Sequence, residues 1–351
     1  MTTSTLITHL PKESIPYLLR RGEGERYLFG NQVATIIANE QSTGGTFAAA
    51  IIGGAKGESF PLHRHQHTFE SMYVLEGKVQ LLLDGQSHLL LPGDYAHIAP
   101  GTEHAYRMIG HRNRFISYSV SGDSTVIYPI IGEPYPHIEY PPVSQHAYDE
   151  QQLRQAEEQA DIVFHRVDDS IAIHREFPAY SLVDHDHVPR EVTSYVLESG
   201  EGIRLLTGDQ LHRLLATQQT TGGEYIVVAS DGPKGDEIVS HYHEHHTETF
   251  FCTRGNMTMW ANDQEVQLFP GDFLHVPAGT VHSYRLNDHF TQVVGLLVSG
   301  LFEPFFRLLG DEYEYHMFPN EAGPVRMDRV MANMDTLDLK VVAPPNSHQS
   351  N

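Results

Sequence analysis

Histidine and glutamate recur in this chain at spacings suited to holding a metal ion. The runs His63-Arg64-His65-Gln66-His67-Thr68-Phe69-Glu70 and His241-Tyr242-His243-Glu244-His245-His246-Thr247-Glu248 are one pattern written twice, 178 residues apart. Side chains alternate along an extended strand, so two histidines separated by one residue point to the same side and offer two imidazole nitrogens to one ion. A turn then brings back a carboxylate. A further histidine follows in each copy, in Pro100-Gly101-Thr102-Glu103-His104 and Pro277-Ala278-Gly279-Thr280-Val281-His282, again 178 apart. The candidate ligand sets are therefore His63, His65, Glu70 and His104, and His241, His243, Glu248 and His282. Nitrogen and carboxylate donors without thiolate suit Fe(II), Mn(II), Co(II), Ni(II) or zinc. On a five- or six-coordinate ion, four protein ligands leave room for a substrate or for dioxygen.

A single His-any-His pair on a strand is ordinarily two surface histidines. The glutamate and the distant histidine, present twice, set these two pairs apart. His185-Asp186-His187 with Glu191 matches the first spacing but carries Glu198 where a glycine is needed and is interrupted by Pro189, so it reads as loop. His67 and His245 repeat at the same offset, yet pairing His65 with His67 leaves too short a turn before Glu70, so they read as rim or supporting groups. Cys252 reads as a small apolar filler, and Trp260 as core.

The repeat extends beyond the ligands. Tyr17, Leu19, Gly22, Glu23, Gly24, Arg26, Gly30 and Gln32 recur as Tyr195, Leu197, Gly200, Glu201, Gly202, Arg204, Gly208 and Gln210 without a gap. A period of this length is a duplicated domain, since solenoid units are about 20 to 50 residues long. Within each copy short apolar and polar alternations are broken by Gly and Pro, and Asp84-Gly85 reads as a hairpin turn. Closely spaced antiparallel strands of this kind close as a barrel or jelly roll. The fold class expected is all-β: two tandem jelly-roll β-barrels with a few peripheral helices. One helix is predicted over Ser144 to Asp161 with Ser144 as its cap, and another over Asp328 to Leu339 as a packing brace. The expected domains are 1–145, and 146–351 with the linker helix and the C-terminal helix.

These residues resemble the cupins, whose first motif is Gly, five residues, His-any-His, three or four residues, Glu, six residues, Gly. The segments from Gly57 to Gly77 and from Gly235 to Gly255 both fit it. The second motif is met from Gly271 to His282; the first copy has its proline displaced to Pro100, and both copies replace the final Asn, by Met108 and Leu286. Across the whole chain, and notably in the runs from Pro16 to Gly30 and from Gly271 to Pro277, the sequence resembles the bacillus-type bicupin quercetin 2,3-dioxygenases. The resemblance implies one divalent transition ion per domain, Fe(II) or Mn(II) first, with Co(II), Ni(II) or Cu(II) also compatible. It further implies a flavonol and dioxygen as substrates, with the flavonol bound through its deprotonated 3-oxygen. Dioxygen adds across the heterocycle, which opens to a depside with loss of carbon monoxide. Glu70 and Glu248 are the catalytic candidates, each placed to accept the hydroxyl proton.

The formal charge is −22, from 23 basic and 45 acidic residues, which argues against nucleic acid or an anionic membrane as partner. One Cys excludes an internal disulfide, and the N-terminus has neither a basic nor an apolar leader segment, so the cytoplasm is expected. A homodimer is left open. The alternatives are another bicupin enzyme such as an oxalate decarboxylase, or a non-enzymatic small-molecule-binding bicupin. An oxalate decarboxylase needs a cavity Arg, and the segments Phe47 to Pro61 and Tyr225 to Ser240 contain none.

The two copies differ around their ligands. Ala48-Ala49-Ala50 is matched by Ile226-Val227-Val228, and Met72 and Val74 are matched by Phe250 and Cys252. The first cavity is therefore expected to be the roomier, and the first site to carry most cleavage of a bulky flavonol.

Overall fold

The computed structural model describes residues 6–142, 148–173, 176–182, 187–262 and 264–342. Strands dominate it, and the duplication is visible in their order. In the first repeat Glu25–Phe29, Gln32–Ala38, Phe47–Ala55, Arg112–Val120, Phe69–Glu76 and Tyr95–Ile98 lie side by side in one sheet. The other sheet of that repeat includes Ser59–Arg64, His104–Met108, Val79–Leu83 and Gln86–Leu90. The second repeat has the same plan, with Thr247–Arg254, Thr291–Val298 and Tyr225–Gly232 central in one sheet and His241–Tyr242, His282–Leu286 and Met257–Ala261 in the other. This is the all-β, jelly-roll pair that the alternation and turn residues predict.

Local chemistry accounts for the turns. Asp84 and Gly85 both adopt positive φ, 46° and 80°, and join Val79–Leu83 to Gln86–Leu90 with Leu83 opposite Gln86. Two left-handed residues in a two-residue loop match the right-handed twist of the flanking strands.

Contacts divide the chain into two compact units, one of residues 22–202 with 219–222, the other of residues 1–21 with 203–218 and 223–351. The boundary expected between 145 and 146 falls inside the first. The reason is strand pairing: Tyr195–Leu197 lies antiparallel to Tyr95–Ile98, with Tyr195 opposite His97. In the matching place of the other unit Tyr17–Leu19 pairs with Phe273–Val276, with Tyr17 opposite His275. Each unit is thus completed by the strand that precedes the other repeat in sequence.

The helices are shorter than expected. The first spans Glu150–Gln159, capped by Asp149, whose side chain accepts from the Gln152 backbone while Gln152 reaches back to the Asp149 backbone. That reciprocal cap is a stronger start signal than Ser144, which lies outside the described residues. The C-terminal segment is an α-helix only over Met327–Ala332, followed by a 3-10 turn over Met334–Thr336. Val330, Leu337 and Leu339 still pack together in the core with Leu205, Leu214 and Phe302, so the bracing role holds while the helix does not continue. Cys252 is buried among Leu18, Met257, Met259 and Leu268, as expected of a filler, and burial pushes its thiol up to about 12. Trp260 departs from expectation. It is half-buried, donates to Glu265 and lies under the Arg285 guanidinium, because its strand turns Met257 and Met259 inward and the alternate position outward.

Candidate metal centres

In the first repeat the ligands come from both sheets. His63 and His104 sit directly opposite one another on paired strands, and Glu70 stands on the other sheet opposite Ile98 and Ser119. One ligand atom from each of His63, His65, Glu70 and His104 lies within 4.8 Å of the others. The sequence-predicted set is thus gathered at one point, with the three histidines buried.

Backbone carbonyls orient the rings. Nδ1 of His63 donates to Pro61 O at 2.8 Å, Nδ1 of His104 to Thr102 O at 3.0 Å, and Nδ1 of His65 to Asp161 O. With each Nδ1–H committed, each Nε2 is left as a lone-pair donor, the tautomer a metal requires. Glu70 meets these nitrogens through one oxygen: Oε2 is 3.0 Å from His104 Nε2 and 3.5 Å from His65 Nε2. Its other oxygen accepts from Ser117 Oγ at 2.7 Å. Burial alone would raise the Glu70 carboxyl, but the close approach of His104 and His65 outweighs it and holds the group well below its ordinary value. His63 is driven well below its ordinary value by burial, then by His104 and His65, so it is a neutral imidazole.

The second repeat builds a related cluster. His241 and His282 are paired across their strands, and Nδ1 of His241, His243 and His282 donates to Val239 O, Asp338 O and Thr280 O at 2.8, 2.6 and 2.9 Å. Nε2 of His243 is buried with no hydrogen-bond partner. An inward-facing lone pair so left is costly unless a cation satisfies it. The three ligand nitrogens lie within 4.8 Å of one another, and Glu248 is not part of that cluster, although its Oε2 is 3.2 Å from His282 Nε2. The donor sets in both repeats therefore fit a divalent transition ion, more completely in the first.

Four supporting residues were not legible from the ligand pattern. The Asp161 carboxylate accepts from the backbone N–H groups of Gln66, His67 and Thr68 and from the Thr68 hydroxyl, at 2.7 to 2.9 Å. Asp338 does the same for Glu244 and His245. Ser117 orients Glu70, and His246, not the exposed His245, is the imidazole buried beside Glu248. His67 is exposed like His245, a rim residue whose contribution here is its backbone N–H. His185 and Asp186 of the excluded motif lie outside the described residues.

A pocket adjoins the first cluster. Besides the ligands it is lined by Ile52, Phe60, Met72, Phe115, Ile127 and Tyr128, with Ser124 and Tyr106 completing the wall. In register, Ala50 faces Ser117 and Ile52 faces Phe115, so the small side chains of Ala48 and Ala50 share the ligand face with Ile52. In the second repeat Ile226 and Val228 occupy those places and pack with Phe302. Phe302 stands where the first repeat has Ser124, its ring 4.5 Å from that of His243.

Comparison with known proteins agrees with this geometry. A Cupin domain model matches residues 53–117 and 228–298. The chain is 55% identical over 343 residues to quercetin 2,3-dioxygenase of Bacillus subtilis, covering 97% of this chain and 99% of that protein. The chain belongs to the quercetin 2,3-dioxygenase family of cupins. A second member, quercetin 2,3-dioxygenase of Aspergillus japonicus, is 32% identical over 37% of this chain and 39% of its own length. The fold is also that of salicylate 1,2-dioxygenase from Pseudoaminobacter salicylatoxidans, with a TM-score of 0.57 at 12% identity over 96% of this chain and 88% of that one. Relative to the family pattern, the cupin ligand positions are filled in both repeats of this member, and what differs is the surroundings.

Proposed function

We infer that the chain is a metal-dependent quercetin 2,3-dioxygenase: it opens a flavonol heterocycle with dioxygen, yielding a depside and carbon monoxide. The observation that carries this reading is the compact set His63, His65, Glu70 and His104 beside an apolar, aromatic-lined pocket, in a chain related over its full length to a flavonol dioxygenase. A divalent transition ion held by these residues supplies Lewis-acid stabilisation of the flavonol oxyanion and an electronic path to dioxygen.

The protein's own contribution follows from the geometry. Glu70 is ionised and oriented by Ser117, so a carboxylate oxygen stands ready to accept the 3-hydroxyl proton. Phe60, Phe115, Ile127 and Met72 present an apolar wall to flat aromatic rings, and Met72 adapts to their shape. Exclusion of water strengthens the electrostatic contacts made within and protects the deprotonated flavonol. The lining holds neither Arg nor Lys, so a small dicarboxylate would find no counter-charge there. Among the described residues no helix is long and apolar enough to cross a membrane.

The deciding experiment is metal analysis of the purified protein, anaerobic addition of quercetin, then oxygen with detection of carbon monoxide. Stoichiometric carbon monoxide with loss of the flavonol absorption band is the expected result. Loss of quercetin without carbon monoxide, or no loss, refutes the reading.

A further inference from the structure

Three tyrosines, Tyr106, Tyr128 and Tyr148, stand around Phe29 and Phe60 in the first repeat. Two of their hydroxyls are committed. Tyr106 donates to Gln32 Oε1 at 2.8 Å and Tyr148 to Ser59 O at 3.2 Å. The Tyr106 bond belongs to the fold, since the second repeat makes it too, from Tyr284 to Gln210 Oε1 at 2.9 Å. Tyr128 is different. It lines the pocket beside the metal ligands and is only 9% exposed, yet among the described residues its hydroxyl has no hydrogen-bond partner. A buried phenol is ordinarily paired, so one left open to a pocket points to an acceptor that the pocket receives.

The second repeat dispenses with that hydroxyl. Gly132 and Gly310, 178 residues apart, end the helices Tyr128–Ile131 and Glu303–Leu309, and their N–H groups donate to Tyr128 O and Phe306 O at 2.9 and 3.0 Å. Phe306 therefore occupies the place of Tyr128. Its ring lies 5.5 Å from that of Phe302 and 5.3 Å from that of His212. A phenyl ring is enough to seat this helix, which leaves the extra oxygen of Tyr128 without a packing role.

Burial raises the Tyr128 phenol, and the charges of Glu70 and then Asp123 raise it further, so it stays protonated and acts as a donor. It stands close enough to Glu70 to feel the carboxylate that receives the 3-hydroxyl proton. We propose that the Tyr128 hydroxyl donates a hydrogen bond to the oxygen edge of the flavonol, formed by its 3- and 4-oxygens, and stabilises the negative charge that appears there when Glu70 takes the proton. This assignment rests on the dioxygenase reading and adds a substrate-binding donor to it. A hydrogen bond to a charged oxygen is worth more than one to a neutral carbonyl. The contribution of Tyr128 therefore depends on the 3-hydroxyl and is indifferent to the hydroxyls on the outer rings.

Three ligands separate these contributions: quercetin, 3-hydroxyflavone, which lacks the outer-ring hydroxyls, and luteolin, which is quercetin without the 3-hydroxyl. Their dissociation constants are measured anaerobically on the metal-loaded full-length His282→Ala protein, which keeps the N-terminal ligand set, with and without Tyr128→Phe. Metal content of both proteins is read alongside. Tyr128→Phe, which installs the residue of the other repeat, should weaken quercetin and 3-hydroxyflavone by about tenfold each and luteolin by about threefold or less, at equal metal content. Should Tyr128→Phe fail to fold, Tyr128→Met removes the same hydroxyl and should give the same pattern. Unchanged affinity for quercetin overturns the proposal. So does a loss confined to quercetin and luteolin, which would place the hydroxyl on an outer ring, or an equal loss for all three, which would make its role one of packing. Carbon monoxide release from quercetin by the unsubstituted protein keeps the two readings apart. Without it the dioxygenase reading falls and takes this assignment with it; with it, an unchanged affinity refutes the role of Tyr128 alone.

Discussion

The backbone carbonyl of Asp338 accepts from Nδ1 of His243 at 2.6 Å, and the carboxylate of the same residue accepts from the backbone N–H groups of Glu244 and His245. One residue therefore fixes both the ring of a candidate ligand and the turn that carries the chain on to Glu248. Asp161 stands in the same relation to His65 and its turn. Burial would raise the Asp161 carboxyl, but hydrogen bonds from His67, Gln66 and Thr68 lower it, so it remains a charged clamp at neutral pH.

The first prediction follows from that clamp. Asp161→Ala leaves the backbone carbonyl in place but frees the turn, and metal affinity at the N-terminal centre should fall about tenfold, within the range seen for groups that support ligands. Titrating the His282→Ala protein with and without the change measures it. Unaltered affinity would mean that the histidines are oriented without the turn.

Much of this site was legible in the sequence because the ligands obey a constant offset. The histidine pairs, the glutamates and the distant histidines are local in strand or turn, and period-two alternation aims them together. Asp161 and Asp338 were not, since they are 177 residues apart and fall out of register by one, and their contacts come from segments far along the chain. Ser117 and His246 escaped for another reason: each is matched by a different residue, Gly295 and Thr68, so a search for sameness passes over them. The folding units were hidden in the same way, because only pairing shows that Tyr195–Leu197 completes the first repeat.

Glu70→Gln is the second prediction. The amide keeps the shape and can still accept from Ser117, but it loses the charge and the capacity to take a proton. Turnover at the N-terminal centre should fall by about 100-fold or more, with KM changed far less. Steady-state rates on quercetin in a His282→Ala background test this; unchanged kcat would send the proton by another route, such as directly to solvent.

A third prediction concerns acid. His97, His212 and His275 are buried away from the ligands, and burial lowers each to about 4. The unfolded chain binds these protons near pH 6.5 while the folded chain does not. The stability they contribute is therefore complete above about pH 6.5 and is lost progressively as pH falls towards 4, with the unfolded state binding more protons across that window. His97→Gln keeps a donor for Thr220 O, which the ring nitrogen contacts at 3.1 Å, and removes one titrating group. Urea unfolding across this window should show a slope of stability against pH smaller by about one proton. An identical slope in both proteins would contradict the assignment of His97 as a buried neutral ring.

The last prediction tests which centre turns over bulky substrate. Ser124 lines the pocket beside the first ligand set, and its counterpart Phe302 packs 4.5 Å from the His243 ring and stacks on Phe305 at 4.4 Å. The aromatic fills the space in the second repeat that a flavonol would need in the first. Ile226 and Val228 add branched side-chain volume beside Phe302 where the first repeat has Ala48 and Ala50. Ser124→Phe should reduce quercetin cleavage by about tenfold or more while leaving the number of ions bound per chain unchanged, since a ring added to a packed wall blocks entry without touching a candidate ligand. In the companion comparison, at matched occupancy of the surviving centre, His63→Ala should lose most of the activity and His241→Ala little. Equal residual rates in that pair, or full activity in Ser124→Phe, would place the working centre elsewhere.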